Sequence, residues 1–329
     1  MQSLNFIVIE TLNKWLALGD CVYLVTIVET WGASPRPPGS LFAYNRDKGF
    51  QVGSLSGGCI EDDLIGQLCG GHIDSRKPVL KYYGDSDEQR KKFELPCGGR
   101  LQLVIELILP EVSSQSHFAT IQSQLADRQK VYRELSLTTG ESDLCHDDIL
   151  GSLNDSPVCL TESHFSQRLS PEYQLLIVGS GEISRYLADI IQSVEFTVTV
   201  CEPRINFITR TEECNHSYPL IHCLPDDLVF EKFNDEYSAI VALAHDPRVD
   251  DLAIIAGLES QAFYVGAMGS KLTSEKRVQR LQSLGISNVN IQKLHAPIGI
   301  NINSKTPPEI AISIASHLIQ VRHQHVNCS

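Results

Sequence analysis

The sequence predicts an α/β protein in two parts, an N-terminal α+β domain followed by a domain built on a parallel sheet, and three observations carry that prediction. The first is "QLLIVGSGEISRYLADIIQSVEFTVTVCEPR". It gives an apolar run, then Gly179, Gly181 and Ser184 as GxGxxS, then a segment of helical period, then a second apolar run ending at Glu202. That order is the strand, turn, helix and strand of a Rossmann-type sheet. The second is the continuation of the same alternation, with strands at 239–243 (AIVAL) and 262–266 (AFYVG) between helices near 248–258 and 273–283. The third is the different character of the first half, where strand-like runs are not spaced by regular crossover helices. With 329 residues, 42% of them hydrophobic, the chain has enough apolar material for two cores.

Along the first half, "MQSLNFIVIETLNKWLALGD" places its apolar residues at a helical period. It has no basic segment leading into a long apolar core, so neither export nor membrane insertion is expected of it. Residues 21–29, 79–83 and 101–107 are rich in β-branched and aromatic types and read as strands. After Gly58, the residues Ile60, Leu64, Ile65 and Leu68 form an apolar stripe that predicts an amphipathic helix beginning there. Between 111 and 170 the composition shifts to Ser, Gln, Asp and His, although "KVYRELSLTT" at 130–139 still alternates like a strand. This stretch is read as the end of the first domain, which places domains at 1–170 and 171–329 with a linker near 166–173. At the far end, "KTPPEIAISIASHLIQVRH" opens a helix with Thr306 as N-cap, Pro307 at the first position and Glu309 closing a capping box.

A net charge of −13 argues against a nucleic-acid partner, since no basic patch is present to neutralise phosphates. The ten cysteines form no CxxC pairs and keep no regular spacing, a pattern that fits reduced thiols in a cytoplasm better than a disulfide framework. No run of eighteen apolar residues calls for a membrane.

The stretch "GSLSGGCIEDD" puts Cys59 in the first turn of the expected helix, where unpaired N–H groups and the positive end of the helix dipole favour a thiolate. Glu61, Asp62 and Asp63 oppose that effect. Cys59 is therefore either a reactive thiol or a small buried hydrophobe behind a tight turn at Gly57 and Gly58. In the second half, Gly179, Gly181 and Ser184 are candidates to cradle the pyrophosphate of a dinucleotide such as NAD, with Glu202 on the ribose. Two further clusters follow strands of this sheet. "AHDPRVDD" carries His245, Asp246 and Arg248, and "GAMGSKLTSEKR" carries Gly266, Gly269, Ser270 and Lys276. On the latter helix Lys276, Arg277 and Arg280 read as a solvated face.

Eight segments in order, "GASPRPPGSLF", "GSLSGGCIED", "LPCGGRLQLVIE", "LLIVGSGEIS", "CEPR", "AHDPRVDDLA", "FYVGAMGS" and "LHAPIGININSKTPPEIA", resemble the xanthine dehydrogenase accessory proteins of the XdhC/CoxI type. The resemblance implies a cytoplasmic chaperone that binds the molybdenum cofactor (molybdopterin), supports its sulfuration with a cysteine desulfurase and delivers it to a xanthine dehydrogenase-type molybdenum hydroxylase. A homodimer is compatible with it. It also implies that Cys59 and Cys97 contact molybdenum or its sulfur. The loops holding Gly57, Gly58, Gly98 and Gly99 would meet the cofactor's phosphate, with Arg36 beside them. Two other functions fit the same residues: an NAD(P)-dependent oxidoreductase with His245 as acid/base, and an interaction protein in which Cys59 and Cys97 form a disulfide or hold another metal.

Overall fold

The computed structural model of the chain describes residues 3–31, 36–56, 58–71, 73, 77–84, 100–145, 156–207 and 217–326. It divides into two compact units, Ser3–Pro171 and a second that begins at Glu172. Of the segment 166–173 expected as a linker, residues 166–169 belong to a strand and 173 opens the next, so only 170–172 lie between.

The first unit runs α1 (Leu4–Ala17), β1 (Val22–Trp31), β2 (Leu41–Asn45), β3 (Gln51–Gly53), α2 (Cys59–Cys69), β4 (Val79–Tyr83), β5 (Arg100–Ile108), α3 (Val112–Ala126), β6 (Val131–Ser136), β7 (Ser142–Cys145), β8 (Val158–Leu160) and β9 (His164–Leu169). An antiparallel sheet has the order β3-β2-β1-β5-β4. The unbroken burial of β1 from Val22 to Val28 follows from its central place, because successive strand residues point to opposite faces and both faces are covered. Val22 and Leu24 pack against Val8, Leu12 and Leu16 of α1 and Phe118 and Ile121 of α3. Tyr23, Val25 and Ile27 pack against Ile60, Leu64 and Leu68 of α2. The helix α3 falls in the stretch that sequence composition marked as polar. Only Phe118, Ile121 and Leu125 are buried among its serines and glutamines, too sparse a stripe to announce a helix.

A second antiparallel sheet, β7-β6-β9-β8, meets the first through Leu135, Val158 and Phe165 against Val28 and Val104. Arg133 of β6 donates to both oxygens of Glu106 on β5, at 2.8 Å for Nη1 to Oε1, with the two side chains 2% and 6% exposed. The Nε of Arg133 also donates to His117 Nε2 at 3.2 Å. Burial, with the Arg133 charge added, holds the His117 imidazole down to about 4.

The second unit runs β10 (Tyr173–Val178), α4 (Glu182–Gln192), β11 (Phe196–Cys201), β12 (Leu220–Ile221), α5 (Pro225–Lys232), β13 (Ser238–Ala242), α6 (Pro247–Glu259), β14 (Tyr264–Ala267), α7 (Lys271–Ser283), α8 (Asn288–Ile291), β15 (Leu294–His295) and α9 (Pro307–Val326). Its sheet is parallel throughout, in the order β12-β11-β10-β13-β14-β15. Helices α4 and α9 cover the face that holds Leu175, Ile177 and Val241, and α5 and α6 cover the face that holds Leu176, Val178 and Ile240. The chain winds outward from β10 and then returns beside it as β13. The loops after these two strands therefore diverge and open the crevice where such sheets take ligands.

At that crevice the two glycines of GxGxxS do different work. Gly179 has φ +100°, and a Cβ there would lie 2.6 Å from Ala244 Cα, so the backbones of the two loops touch only because the side chain is absent. Gly181, the N-cap of α4, has open space at its Cβ position. The basic face expected on α7 needs correction. Lys276 is exposed, but Arg277 is 2% exposed and donates to Met268 O at 3.0 Å, beside Asp250 and Asp251. Arg280 pairs with Asp251 at 2.8 Å. Two acids on α6 have drawn the arginines inward. At the start of α9, Glu309 reaches back to the N–H groups of Lys305 (2.8 Å) and Thr306 (3.0 Å), as a capping box requires.

Two substitutions test this account. Glu106→Gln leaves the Arg133 guanidinium buried against a neutral amide and should destabilise the first unit by about 3 kcal/mol in denaturant unfolding. A change within about 0.5 kcal/mol, the range of an ordinary surface site, would show that the pair carries nothing. In the second unit, Gly179→Ala adds a clash to an unfavourable φ and should cost roughly 2–4 kcal/mol. Gly181→Ala should leave the melting temperature unchanged; equal losses from the two would contradict the contact between Gly179 and Ala244.

Candidate functional site

In the first unit the turn from β3 into α2 is short and tightly held. Gly53 (φ +93°) closes β3 where a Cβ would fall 2.4 Å from Leu41 O, so the chain enters the turn pressed against β2. Leu55 is fully buried in the same core as Ile60. From one turn inside the helix, Glu61 sends a single carboxylate oxygen back over the loop. It accepts from Leu55 N (2.6 Å), Ser54 Oγ (2.9 Å) and Ser56 N (3.0 Å). Two N–H groups that the sequence reading reserved for a phosphate are thus taken by the protein's own acid.

Gly58 caps α2 at φ +154° with no side-chain hydrogen bond and with open space at its Cβ position. Cys59 follows as the first helical residue and is exposed. This decides between the two readings of its burial: the thiol is not a core hydrophobe. Ile60, one residue on, takes the buried position, and the 100° step of a helix turns Cys59 outward. Of the three neighbouring acids, Glu61 is engaged with the loop, and Asp63 accepts from Gln67 and from the Tyr83 hydroxyl at 3.2 Å. Asp62 is exposed. Arg36 is half-buried in the connection between β1 and β2. Gly57, Cys97, Gly98 and Gly99 lie outside the described residues.

The second unit brings Gly179, Gly181, Ser184, Glu202 and His245 to the C-terminal edge of its sheet. Glu202 is fully buried, and its carboxylate is saturated. Oε1 accepts from Arg204 N (3.0 Å) and Nε (2.7 Å), and Oε2 accepts from Ser180 N (3.0 Å), Ser180 Oγ (3.1 Å) and Arg204 Nη2 (2.8 Å). Burial disfavours its charge, but these hydrogen bonds outweigh burial and hold the carboxyl below the usual range. Arg204 continues across the crevice to Ala244 O at 3.1 Å and lies over the Phe207 ring at 4.0 Å. Ser184 Oγ, in a residue 1% exposed, is buried and has no hydrogen-bond partner among the described residues.

His245 is exposed and sits at φ +57°, a left-handed backbone that costs a non-glycine residue about 1 kcal/mol. The residues around it hold it there. Asp250, 2% exposed, accepts from Ala244 N at 3.0 Å, while Asp246 caps α6 by accepting from Arg248 N at 3.0 Å. The Arg248 side chain, at 2.8 Å from Asp246, holds that carboxyl down to about 2. Burial pushes the Asp250 carboxyl up, against the pull of Ala244 N–H and Arg277.

Sequence reasoning missed three residues that matter here. Glu61 and Arg204 sat inside quoted motifs, and their spacing from a glycine loop or a strand-end acid was the available signal. The third is His317 of α9, whose Nδ1 accepts from Gly299 N at 3.2 Å and lies 3.0 Å from the Tyr264 hydroxyl, with His295 stacked on Tyr264 at 4.5 Å. Burial holds His295 down to about 4. Nothing in the spacing of two histidines on different elements indicates that they meet. Among the described residues no group of three His, Cys, Asp or Glu side chains could hold a metal ion, and no helix is long and apolar enough to cross a membrane.

Comparison with known proteins adds to this geometry. The family model for the XdhC Rossmann domain matches residues 175–318, and that for the XdhC and CoxI family matches residues 15–84. A Bacillus subtilis protein, named as a probable subunit of xanthine dehydrogenase, is 25% identical over 322 residues, covering 91% of this chain and 92% of the relative. An Escherichia coli protein named molybdenum cofactor insertion chaperone PaoD is 26% identical over 320 residues, covering 94% of this chain and 86% of the relative. A crystal structure of a xanthine dehydrogenase from Bacillus halodurans shares the fold, with a TM-score of 0.73 and 24% identity over 98% of this chain and 96% of that one. One family match falls in each unit, on the strands and turns just described, and the chain belongs to the XdhC and CoxI family.

Proposed function

We propose that this chain is an accessory protein that takes the molybdenum cofactor as cargo and delivers it to a xanthine dehydrogenase-type molybdenum hydroxylase. The names of the Escherichia coli and Bacillus subtilis relatives support the reading. The observation that carries it is the exposed thiol of Cys59, at the uncapped start of α2, behind a loop that Glu61 holds in place.

The donor set fits such a cargo. A cysteine sulfur is a soft ligand of the kind molybdenum accepts. The N–H groups of Cys59 and Ile60 have no acceptor within the helix and face the dipole's positive end, which suits an anionic group of the cargo. Among the described residues, nothing lies within 4 Å of a Cβ built at Gly58, the residue before the thiol. Glu61 already holds the N–H groups of Leu55 and Ser56, so this part of the loop is ordered before cargo arrives, which lowers the entropic cost of binding. The same thiol is suited to the sulfuration that the family resemblance implies, with a cysteine desulfurase as sulfur donor, and the proposal includes that partner.

A dinucleotide such as NAD in the second unit has narrower support. The open position at Gly181 and the uncapped start of α4 suit a pyrophosphate, while the Ser184 hydroxyl is too deeply buried to meet one. Glu202, however, reaches a ribose only if Arg204 releases it first.

The test compares wild type, Cys59→Ser and Cys97→Ser, each purified from a molybdenum-replete host. Bound pterin and molybdenum are measured alongside thermal melts and activation of an apo-hydroxylase. Cys59→Ser should melt with wild type and retain less cofactor by a factor on the order of ten or more, the scale of losing one contact at a metal site. Equal retention and equal activation would overturn the reading.

A further inference from the structure

In the second unit, the end of β11 and the segment after β12 bring two thiols together. Cys201, the last residue of β11, is fully buried in the core formed with Leu228, Val229 and Phe233. Cys223, two residues past β12, is half-buried on the same core. Their Sγ atoms are 3.6 Å apart, and the Cys201 thiol donates to the Cys223 carbonyl at 3.3 Å. Both backbones are pinned. Val200 N donates to Pro219 O (2.9 Å) and Glu202 N to Ile221 O (3.0 Å), while His222 Nε2 lies 3.0 Å from Pro203 O. An S–S bond is about 2.05 Å long, so closing the pair moves sulfur by roughly 1.5 Å, within reach of side-chain rotation.

We propose that Cys201 and Cys223 are a disulfide-forming site, closed by a low-molecular-weight disulfide such as glutathione disulfide. Cys223, the more accessible thiol, reacts first as its thiolate. Its sulfur bonds to one sulfur of the oxidant RSSR, the oxidant's S–S bond breaks, and RS⁻ leaves and takes a proton. Cys201 then gives up its thiol proton, its sulfur attacks Cys223 Sγ, the Cys223–SR bond breaks and the second RS⁻ is protonated. Two cysteine thiols are oxidised by two electrons, and RSSR is reduced to two RSH. Burial, reinforced by the neighbouring Cys223 thiol, pushes the Cys201 thiol up, which makes the second step the slow one. The bridge anchors the residue next to Glu202, whose carboxylate holds both Arg204 and the Ser180 turn.

The experiment treats the full chain with glutathione disulfide, alkylates the remaining thiols and maps peptides without reduction by mass spectrometry. The expected product is a peptide joining Cys201 to Cys223, two hydrogens lighter than the sum of its parts, preceded by a glutathione adduct on Cys223 and reversed by dithiothreitol. In Cys201→Ser the adduct should persist on Cys223. Cys223→Ser, at the half-buried position and so the safer variant for folding, should leave Cys201 as a free thiol. Recovery of both cysteines as free thiols while the exposed Cys59 and Cys69 carry glutathione would overturn the proposal. So would a lasting adduct on wild-type Cys223 with no link to Cys201.

Discussion

The Glu61 carboxylate is the interaction on which the candidate site of the first unit depends. The chain must leave β3 under Leu41, seat Leu55 in the core and start α2 in a register that puts Ile60, Leu64 and Leu68 on the sheet. A loop this short cannot pair its own N–H groups, and an unpaired buried N–H costs about 1–3 kcal/mol. By accepting from Leu55, Ser56 and the Ser54 hydroxyl, Glu61 removes that cost and seats Leu55 in the core. The logic is that of a capping box stretched over a longer turn. Once Ile60 is fixed inward, helical geometry leaves Cys59 outward; its exposure follows from the packing of its neighbour.

The second unit uses the same device at a different place. Glu202 accepts from the glycine turn after β10 through Ser180 and from Arg204, and Arg204 reaches on to Ala244 across the crevice. In each unit an acid already occupies backbone donors that a glycine-rich loop would otherwise offer to an anion. Such loops are held ready in shape without being open in charge. Outside those bonds lie, at α2, the exposed Cys59 thiol next to Gly58 and, at α4, the Gly181 turn.

Much of this fold was legible in the sequence, and the failures have physical causes. The parallel sheet declared itself because buried parallel strands are continuous apolar runs, and the GxGxxS turn marks where the first of them ends. The stripe after Gly58 marked the start of α2, which begins at Cys59. The helix α3 was not legible, because it contributes only three apolar side chains to a core whose largest share comes from α1. Arg277 was misread as solvated because helix spacing cannot reveal that Asp250 and Asp251 of another helix face it. For the candidate site, residue types pointed to two glycine turns, but which donors there were already satisfied could be seen only when Glu61 and Glu202 were placed in three dimensions. The pairing of Cys201 with Cys223 was hidden for the same reason, since it needs the register between β11 and β12.

The central claim is that the Cys59 sulfur is a contact of the bound cofactor. Molybdenum K-edge X-ray absorption of the cofactor-loaded protein tests it most directly, with wild type and Cys59→Ser loaded to equal molybdenum content. The account predicts one sulfur scatterer fewer around molybdenum in the variant, with the remaining shells unchanged. Superimposable spectra from the two proteins would contradict it.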